Sequence, residues 1–292
     1  MIYRAGEQRT VGYLRPTSVD EAVGALAASP AGGSGWVVLA GGTDHYPARV
    51  GPRAAEDILD ISRVAGLRGV AETDSGWRIG ALTTWTEVIE ADLPPLFDGL
   101  KLAAREVGGV QIQNRGTVAG NLCNASPAAD GIPPLLSLDA MIELASAKGT
   151  RRLKLAEFIQ GNRRTARRSD ELVTAIHLPR PANAAKGDFL KLGARKYLVI
   201  SIVMAAGVIE RTADRKVAAA RIAVGACSAA AQRLSALEQA LAGQPLDTNL
   251  RALVTEMHLA PLAPIDDVRG SAGYRLDCAL TIVRRLVDRL AS

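Results

Sequence analysis

The apolar run "WVVLA" at residues 36–40 has the length of a strand and is halted at once by "GGTDH". Residues without a Cβ tolerate positive φ, let a backbone approach another group closely, and leave amides pointing outward in a nest that attracts phosphate oxygens. The hydroxyl of Thr43 and the carboxylate of Asp44 add a donor and an acceptor beside that turn. A second stretch, "GTVAGNLCNASPAAD" at 116–130, repeats the chemistry: Gly116, Thr117 and Gly120 open the backbone, and Asn121, Asn124 and Ser126 supply short polar side chains. It reads as too polar for a strand and too loose for a helix. One glycine pair is most often an ordinary turn. Two such turns suit a dinucleotide pyrophosphate held from both sides, so the fold must bring residues 41–44 and 116–121 together. Neither is the phosphate loop G-x-x-x-x-G-K-S/T. The lone carboxylate Asp130, which would repel a phosphate, is better suited to a ribose or adenine donor.

The chain's 292 residues exceed a usual single domain, so two compact units are expected. Hydrophobic residues at 48% and charged residues at 22% argue for a packed core and against disorder. No apolar run reaches the roughly 18 residues of a membrane helix, and no apolar signal segment opens the sequence. A soluble, cytoplasmic protein without a membrane span is the expectation. Cys123, Cys227 and Cys278 lie too far apart for a disulfide framework or a cysteine-rich metal site, so any metal centre belongs to a partner. Part of the net charge of +5 sits at Arg163, Arg164, Arg167 and Arg168. That cluster reads either as a solvated loop or as a dock for an acidic partner. It has no interleaved aromatic residue between Gln160 and Asp170, which argues against nucleic acid.

Local patterns order the chain. "RPTSVDEAVGALAAS" is a helix capped by Ser18, followed by a glycine-rich break, "PAGGSG". "WRIGAL" reads as a buried strand with Thr84 or Thr86 capping the next helix, and "LFDGLKLAAREVG" carries a helical stripe through Leu96, Leu100, Ala103, Ala104 and Val107. "GIPPLLSLDAMIELASAKGT" gives a helix and then a strand, and "ELVTAIHLP" a strand closed by Pro179. The polar linker "RPANAAKG" marks a boundary between units at 1–179 and 180–292. Beyond it lie two or three strands and helices at Leu234–Leu241 and Asp277–Leu290.

"YLRPTSVDEAV", "VLAGGTD", "IGALTTWTEV", "NRGTVAGNLCNASPAAD", "RRTARRSDELVTAIHLP" and "FLKLGARKYLVISIV" occur in the order found in a known family. The chain resembles the FAD-binding, or medium, subunit of molybdenum hydroxylases such as carbon monoxide dehydrogenase and xanthine dehydrogenase. The resemblance implies an α+β protein with the bilobal FAD-binding fold of the vanillyl-alcohol oxidase (PCMH) type. It would have a small lobe at about 1–60, a larger lobe at 61–179, and a C-terminal α+β domain with a sheet and helices.

The resemblance implies that Leu39, Ala40, Gly41, Gly42, Thr43, Asp44 and His45, with Thr117, Val118, Ala119, Gly120 and Asn121, line the FAD pyrophosphate site. Ser126 joins that set, and Asp130 matches an aspartate at the ribose or adenine end. Val173 and Lys191 match positions near the flavin ring or ribityl chain, and Val107 one before the second loop. His45 and Ala119 depart from the family's usual residues, and a lone loop histidine ordinarily faces solvent. Cys123 reads as a small, buried, inert thiol, and Tyr197 or Trp85 as candidates to flank the ring. The implied role is electron transfer. Electrons pass from a large molybdopterin-binding subunit through 2Fe–2S clusters of a small subunit to FAD on this chain, and then to an external acceptor. The rival reading is a stand-alone flavoenzyme of the same fold, like an enolpyruvyl-sugar reductase.

Overall fold

The computed structural model describes residues 12–28, 35–49, 56–246 and 249–292. The glycine-rich break at 30–35 falls, apart from Gly35, outside them. The N-terminal lobe holds β1 (Tyr13–Leu14), helix α1 (Val19–Ala27), β2 (Trp36–Leu39) and β3 (Asp57–Asp60), with the strands parallel in the order β1-β3-β2. Parallel neighbours need crossovers, and α1 supplies one. The Ser18 hydroxyl caps α1 by accepting from the Glu21 amide at 3.2 Å. Ala22, Val23 and Leu26 form its buried stripe, packed with Leu59, Ile61, Val64 and Leu67.

The larger lobe is built on a five-stranded antiparallel sheet. Its strands β4 (Val70–Thr73) and β5 (Gly76–Gly80) lead into five short helices: α2 (Trp85–Glu90), α3 (Asp98–Glu106), α4 (Val110–Gln113), α5 (Val118–Asn124) and α6 (Ile132–Ser137). Then come β6 (Met141–Ser146), β7 (Gly149–Lys154), α7 (Leu155–Phe158), the small pair β8 (Ile159–Gly161) and β9 (Arg164–Thr165), and finally β10 (Leu172–Pro179). The sheet order is β4-β5-β10-β6-β7. Trp77, Trp85, Phe97, Leu100, Leu122, Leu135, Ile142 and Phe158 fill the core between sheet and helices.

Residues 118–124, expected to be an irregular loop, are helical. Thr117 caps the helix by accepting from the Gly120 amide at 3.0 Å, and Val118, Ala119 and Leu122 bury a stripe in the core. Polar residues here face out from a helix that tertiary packing stabilises, which composition alone conceals.

The C-terminal unit is a four-stranded antiparallel sheet, β11 (Ala184–Leu192), β12 (Val203–Arg211), β13 (Val217–Gly225) and β14 (Gln232–Arg233), with helices α8 (Ser235–Leu241) and α9 (Ala272–Ala291). Residues Ala279, Ile282, Val283, Leu286, Val287 and Leu290 recur at helical spacing and bury α9 in this unit's core. The two units meet where α3 lies on β11. A Cβ on Gly187 would stand 2.3 Å from the Leu96 carbonyl oxygen, and one on Gly99 would stand 2.7 Å from that of Asp188. Glycine on both sides of this seam lets backbone touch backbone. Alongside, the Arg221 Nε–H donates to the Ser137 carbonyl at 2.8 Å, and Arg233 bridges Asp139 and Glu238.

Glu171 anchors the segment before β10. Its side chain is 3% exposed and accepts from Arg151 at 2.6 and 2.8 Å and from the Arg168 amide at 2.7 Å. The Arg151 hydrogen bonds hold its carboxyl below the usual glutamate range.

Two outcomes follow. Gly99→Ala or Gly187→Ala will wedge the seam and cost about 1–3 kcal/mol, read as a lower urea midpoint. For Glu171, the folded pKa lies below the unfolded one, so its contribution is present above the ordinary value of 4.5 and is lost as pH falls through the folded pKa. Glu171→Gln will therefore be less stable than the native chain by roughly 1–3 kcal/mol at pH 7. Denaturation midpoints compared across pH will show that gap closing below pH 4.5.

Candidate functional site: a three-chambered cleft

The two glycine turns meet. A Cβ on Gly41 would stand 2.0 Å from the Arg115 carbonyl oxygen and 3.1 Å from the Gly116 Cα, so the end of β2 presses directly on the residues before α5. A Cβ on Gly116 would in turn lie 3.3 Å from the Thr43 Oγ1 and 3.5 Å from Trp85. Further bonds fix the second turn to the core: the Trp85 amide donates to the Gly116 carbonyl at 3.1 Å and the Val118 amide to the Thr83 carbonyl at 3.0 Å.

The contact lines a chamber of about 400 Å³ with Leu39 to His45 on one wall and Gly116, Thr117, Gly120 and Asn121 on the other. Gly42 is left-handed at φ 73°, and the chain then winds into a turn in which the Tyr46 amide donates to the Gly42 carbonyl. The amides of Gly41 to His45 have no backbone or side-chain acceptor among the described residues. That wall is a bank of free donors, the condition for holding an anion. Opposite, the Asn121 Oδ1 is buried with no donor among the described residues.

Two further chambers join the first. The inner one, about 410 Å³, is mostly apolar, walled by Trp36, Val37, Val38, Ile61, Leu172 and Val173, and shares Ala40, Gly120, Cys123 and Arg163 with the middle chamber. The outer one, about 430 Å³, shares Val107, Asn121 and Asn124 with the middle chamber and continues past Ser126 and Asp130 to Leu198–Ile200 of the C-terminal unit. Through these shared residues the chambers adjoin one another along a cleft whose waist carries the free amides. An elongated ligand with a charged centre and two flat ends fits it.

Most of the residues singled out in the sequence lie on these walls. Leu39, Ala40, Gly41, Gly42, Thr43, Asp44, His45, Thr117, Gly120 and Asn121 surround the waist, Ala119 and Val173 the inner chamber, Ser126 and Asp130 the outer, and Val107 both waist and outer chamber. Val118 is different: its side chain is fully buried in the core and its amide is already donated. Lys191, on β11, reaches the cleft only through Asp130, its Nζ donating to Oδ2 at 2.7 Å, while the Ser201 hydroxyl donates to Oδ1 at 2.6 Å. Burial pushes the Asp130 carboxyl up, opposed by the Lys191 charge and these hydrogen bonds. Val173 and Lys191, which the resemblance places near the flavin ring or ribityl chain, sit at opposite ends of the cleft. Trp85 lines the waist, whereas Tyr197 is 60% exposed on the surface. Burial, and then the Arg49 charge, lower the pKa of His45 and leave it neutral at pH 7.

Three residues read otherwise in the sequence belong to the cleft. Cys123, on α5, is exposed and opens into both waist and inner chamber. Arg163 leaves the basic cluster to pair with Asp44 at 3.1 Å. The Arg167 guanidinium donates to the Glu171 carbonyl at 2.7 Å and also lines the inner chamber. The Arg168 amide donates to Glu171 and its guanidinium lies 4.0 Å from the same carboxylate, so three of the four clustered arginines make contacts within the chain while the side chains of Arg163 and Arg168 stay exposed. No sequence signal distinguishes these arginines from a solvated run, because only the β8–β9 hairpin turns them inward.

No helix of the described residues is long and apolar enough to cross a membrane. Residues 8–181 match the family model described as the FAD binding domain in molybdopterin dehydrogenase, and residues 188–290 that of the CO dehydrogenase flavoprotein C-terminal domain. The xanthine dehydrogenase FAD-binding subunit of Escherichia coli O157:H7 is 29% identical over 285 residues, 94% of each chain. Caffeine dehydrogenase subunit beta of Pseudomonas sp. (strain CBB1) is 31% identical over 300 residues, covering 96% of this chain and 94% of that one. Among solved structures, a chain of carbon monoxide dehydrogenase from Hydrogenophaga pseudoflava superposes with a TM-score of 0.85 at 28% identity, covering 96% of both. The fold, the paired glycine turns and these matches agree: the chain belongs to the family of FAD-binding subunits of the xanthine and carbon monoxide dehydrogenase type.

Proposed function

We propose that this chain is the electron-transfer subunit of a multisubunit molybdenum hydroxylase. In this role it holds FAD between the 2Fe–2S clusters of a small partner subunit and an external acceptor, while a large molybdopterin-binding subunit oxidises the substrate. The observation that carries the reading is the contact of Gly41 with Arg115 and Gly116, which sets the free amides of the first glycine turn opposite the polar side chains of the second, at a waist with a chamber on either side. The cysteine count supports placing the clusters elsewhere, since three cysteines are too few to ligate a pair of them.

When bound, FAD supplies one- and two-electron redox chemistry. The chain's own residues bind and orient it. The amides of Gly41 to His45 and the polar groups of Thr117 and Asn121 would hold the pyrophosphate. The apolar inner chamber beside Val173 suits adenine, which takes no part in electron transfer and tolerates enclosure. The outer chamber suits the isoalloxazine: it lies between the two units and its rim carries the exposed Leu198 and Ile200, so a ring there is reachable by redox partners. On this reading Lys191 serves the flavin end, as the resemblance implies, while Asp130 joins it there and Val173 serves the adenine end. The buried Asp130–Lys191 pair then places a fixed carboxylate and ammonium beside the ring, where charge tunes its electronics.

The visible spectrum of the purified full chain tests the reading. Flavin absorption bands, acquired on adding FAD and released as FAD on denaturation, are expected. A chain that stays colourless alone and after co-expression with its partner subunits would overturn it. The inner chamber has its own test: bound FAD will slow alkylation of Cys123 by a maleimide by about tenfold or more, with Cys278 as the internal control. An unchanged rate in the flavin-loaded chain would move the ligand out of that chamber.

A further inference from the structure

Arg163 occupies a position that stability alone does not explain. Its backbone is left-handed at φ 55°, a conformation unfavourable for a residue with a Cβ. It is held there by its amide, which donates at 3.3 Å to the carbonyl of Ala125, itself left-handed at φ 48° where α5 ends. This double turn aims the side chain across the cleft. NH1 donates to Asp44 Oδ2 at 3.1 Å and NH2 to Oδ1 at 3.5 Å, while the Asn124 Nδ2 adds a bond to Oδ1 at 3.3 Å. Asp44 belongs to the small lobe and both partners to the larger one. The side chains of the pair are 59% and 48% exposed, a setting in which an ion pair adds little to stability. Strain kept without a stabilising return points to function.

The electrostatics of the waist say which function. Asp44 follows directly on the free amides that face the ligand, and its charge alone would repel phosphate. The waist's other cation, Arg49, is committed to Glu56 and to the His45 carbonyl. Arg163 cancels the Asp44 charge with two of its donors. Its remaining N–H groups stay available on a side chain that lines both waist and inner chamber.

We infer that Arg163, prealigned by Asp44 and Asn124, is a positioning residue for the pyrophosphate of FAD, supplying the cationic contact that the glycine turns lack. This rests on the FAD reading above and adds to it a residue and a charge. Equilibrium titration of the full chain with FAD, at low and high salt, tests it on the native protein, Arg163→Gln and Arg163→Lys. Arg163→Gln will weaken FAD binding roughly 10- to 100-fold at low salt, as expected for loss of a charge-assisted contact, and will flatten the salt dependence. Arg163→Lys will recover part of the affinity and the full salt dependence, because it keeps the charge. The inference is overturned if Arg163→Gln binds FAD as tightly as the native chain. It is equally overturned if both variants weaken alike with the salt dependence unchanged and the melting temperature lowered, which would mark a merely structural clasp. In either case the native chain still binds FAD, so the failure is separate from one of the underlying reading, in which the native chain binds none.

Discussion

The cleft depends on one backbone contact, that of Gly41 with the carbonyl of Arg115. At 2.0 Å from that oxygen there is no room for a Cβ, so any other residue at 41 would drive the end of β2 from the start of α5. The consequences run outward from this contact. It sets the width of the waist and brings the free amides after Gly41 opposite Thr117 and Asn121. It also makes a parallel sheet and an antiparallel sheet, each with its own core, into two walls of one site. The same device recurs at Gly99 and Gly187, where the C-terminal unit docks and closes the outer chamber. Close backbone approach at these glycines sets distances between the parts, and side chains such as Ala103 against Phe189 and Met204 pack around it.

Two ion pairs border the cleft and do different work because their solvation differs. Asp130–Lys191 is nearly dry, with side chains 9% and 6% exposed, and its carboxylate has Lys191 on one oxygen and Ser201 on the other. Removing either partner would strand a buried charge, so the pair fixes β11 against the segment after α5 and gives the outer chamber a defined wall. Asp44–Arg163 stands in water, contributes little to stability, and remains free to respond to an incoming anion. A carboxylate–cation pair thus serves fixation at one end and, on the proposed reading, recognition at the waist.

Much of the fold was legible in the chain because it rests on local rules. The cap at Ser18, the strand ending at Pro179, the cap of α2, open between Thr84 and Thr86 in the sequence and found at Thr84, and the helix at Asp277–Leu290, found to begin at Ala272, each depend on neighbours within a few residues. Where the local rule was weak, the reading failed. Residues 118–124 have a composition suited to a turn, and only burial of Val118, Ala119 and Leu122 makes them helical. Within that helix the pattern of side chains also separates Val118, turned to the core, from Cys123, turned to the cleft, although the sequence treats them as one motif.

By itself the sequence showed two glycine turns suited to one dinucleotide, and its resemblance to a known family, carried by short motifs, implied FAD and the plan of the fold, since glycine positions and short motifs are constraints on backbone that survive in the linear code. Only the tertiary structure decided which residues share a chamber. Val173 and Lys191 look equivalent in the sequence yet occupy opposite ends of the cleft, and Arg163 looks like one of four solvated arginines yet faces Asp44 across it. The physical reason is distance along the chain. Asp44 and Arg163 are 119 residues apart, and Asp130 and Lys191 are 61, so their pairing is set by how the sheets and helices pack and by no signal within reach of either residue.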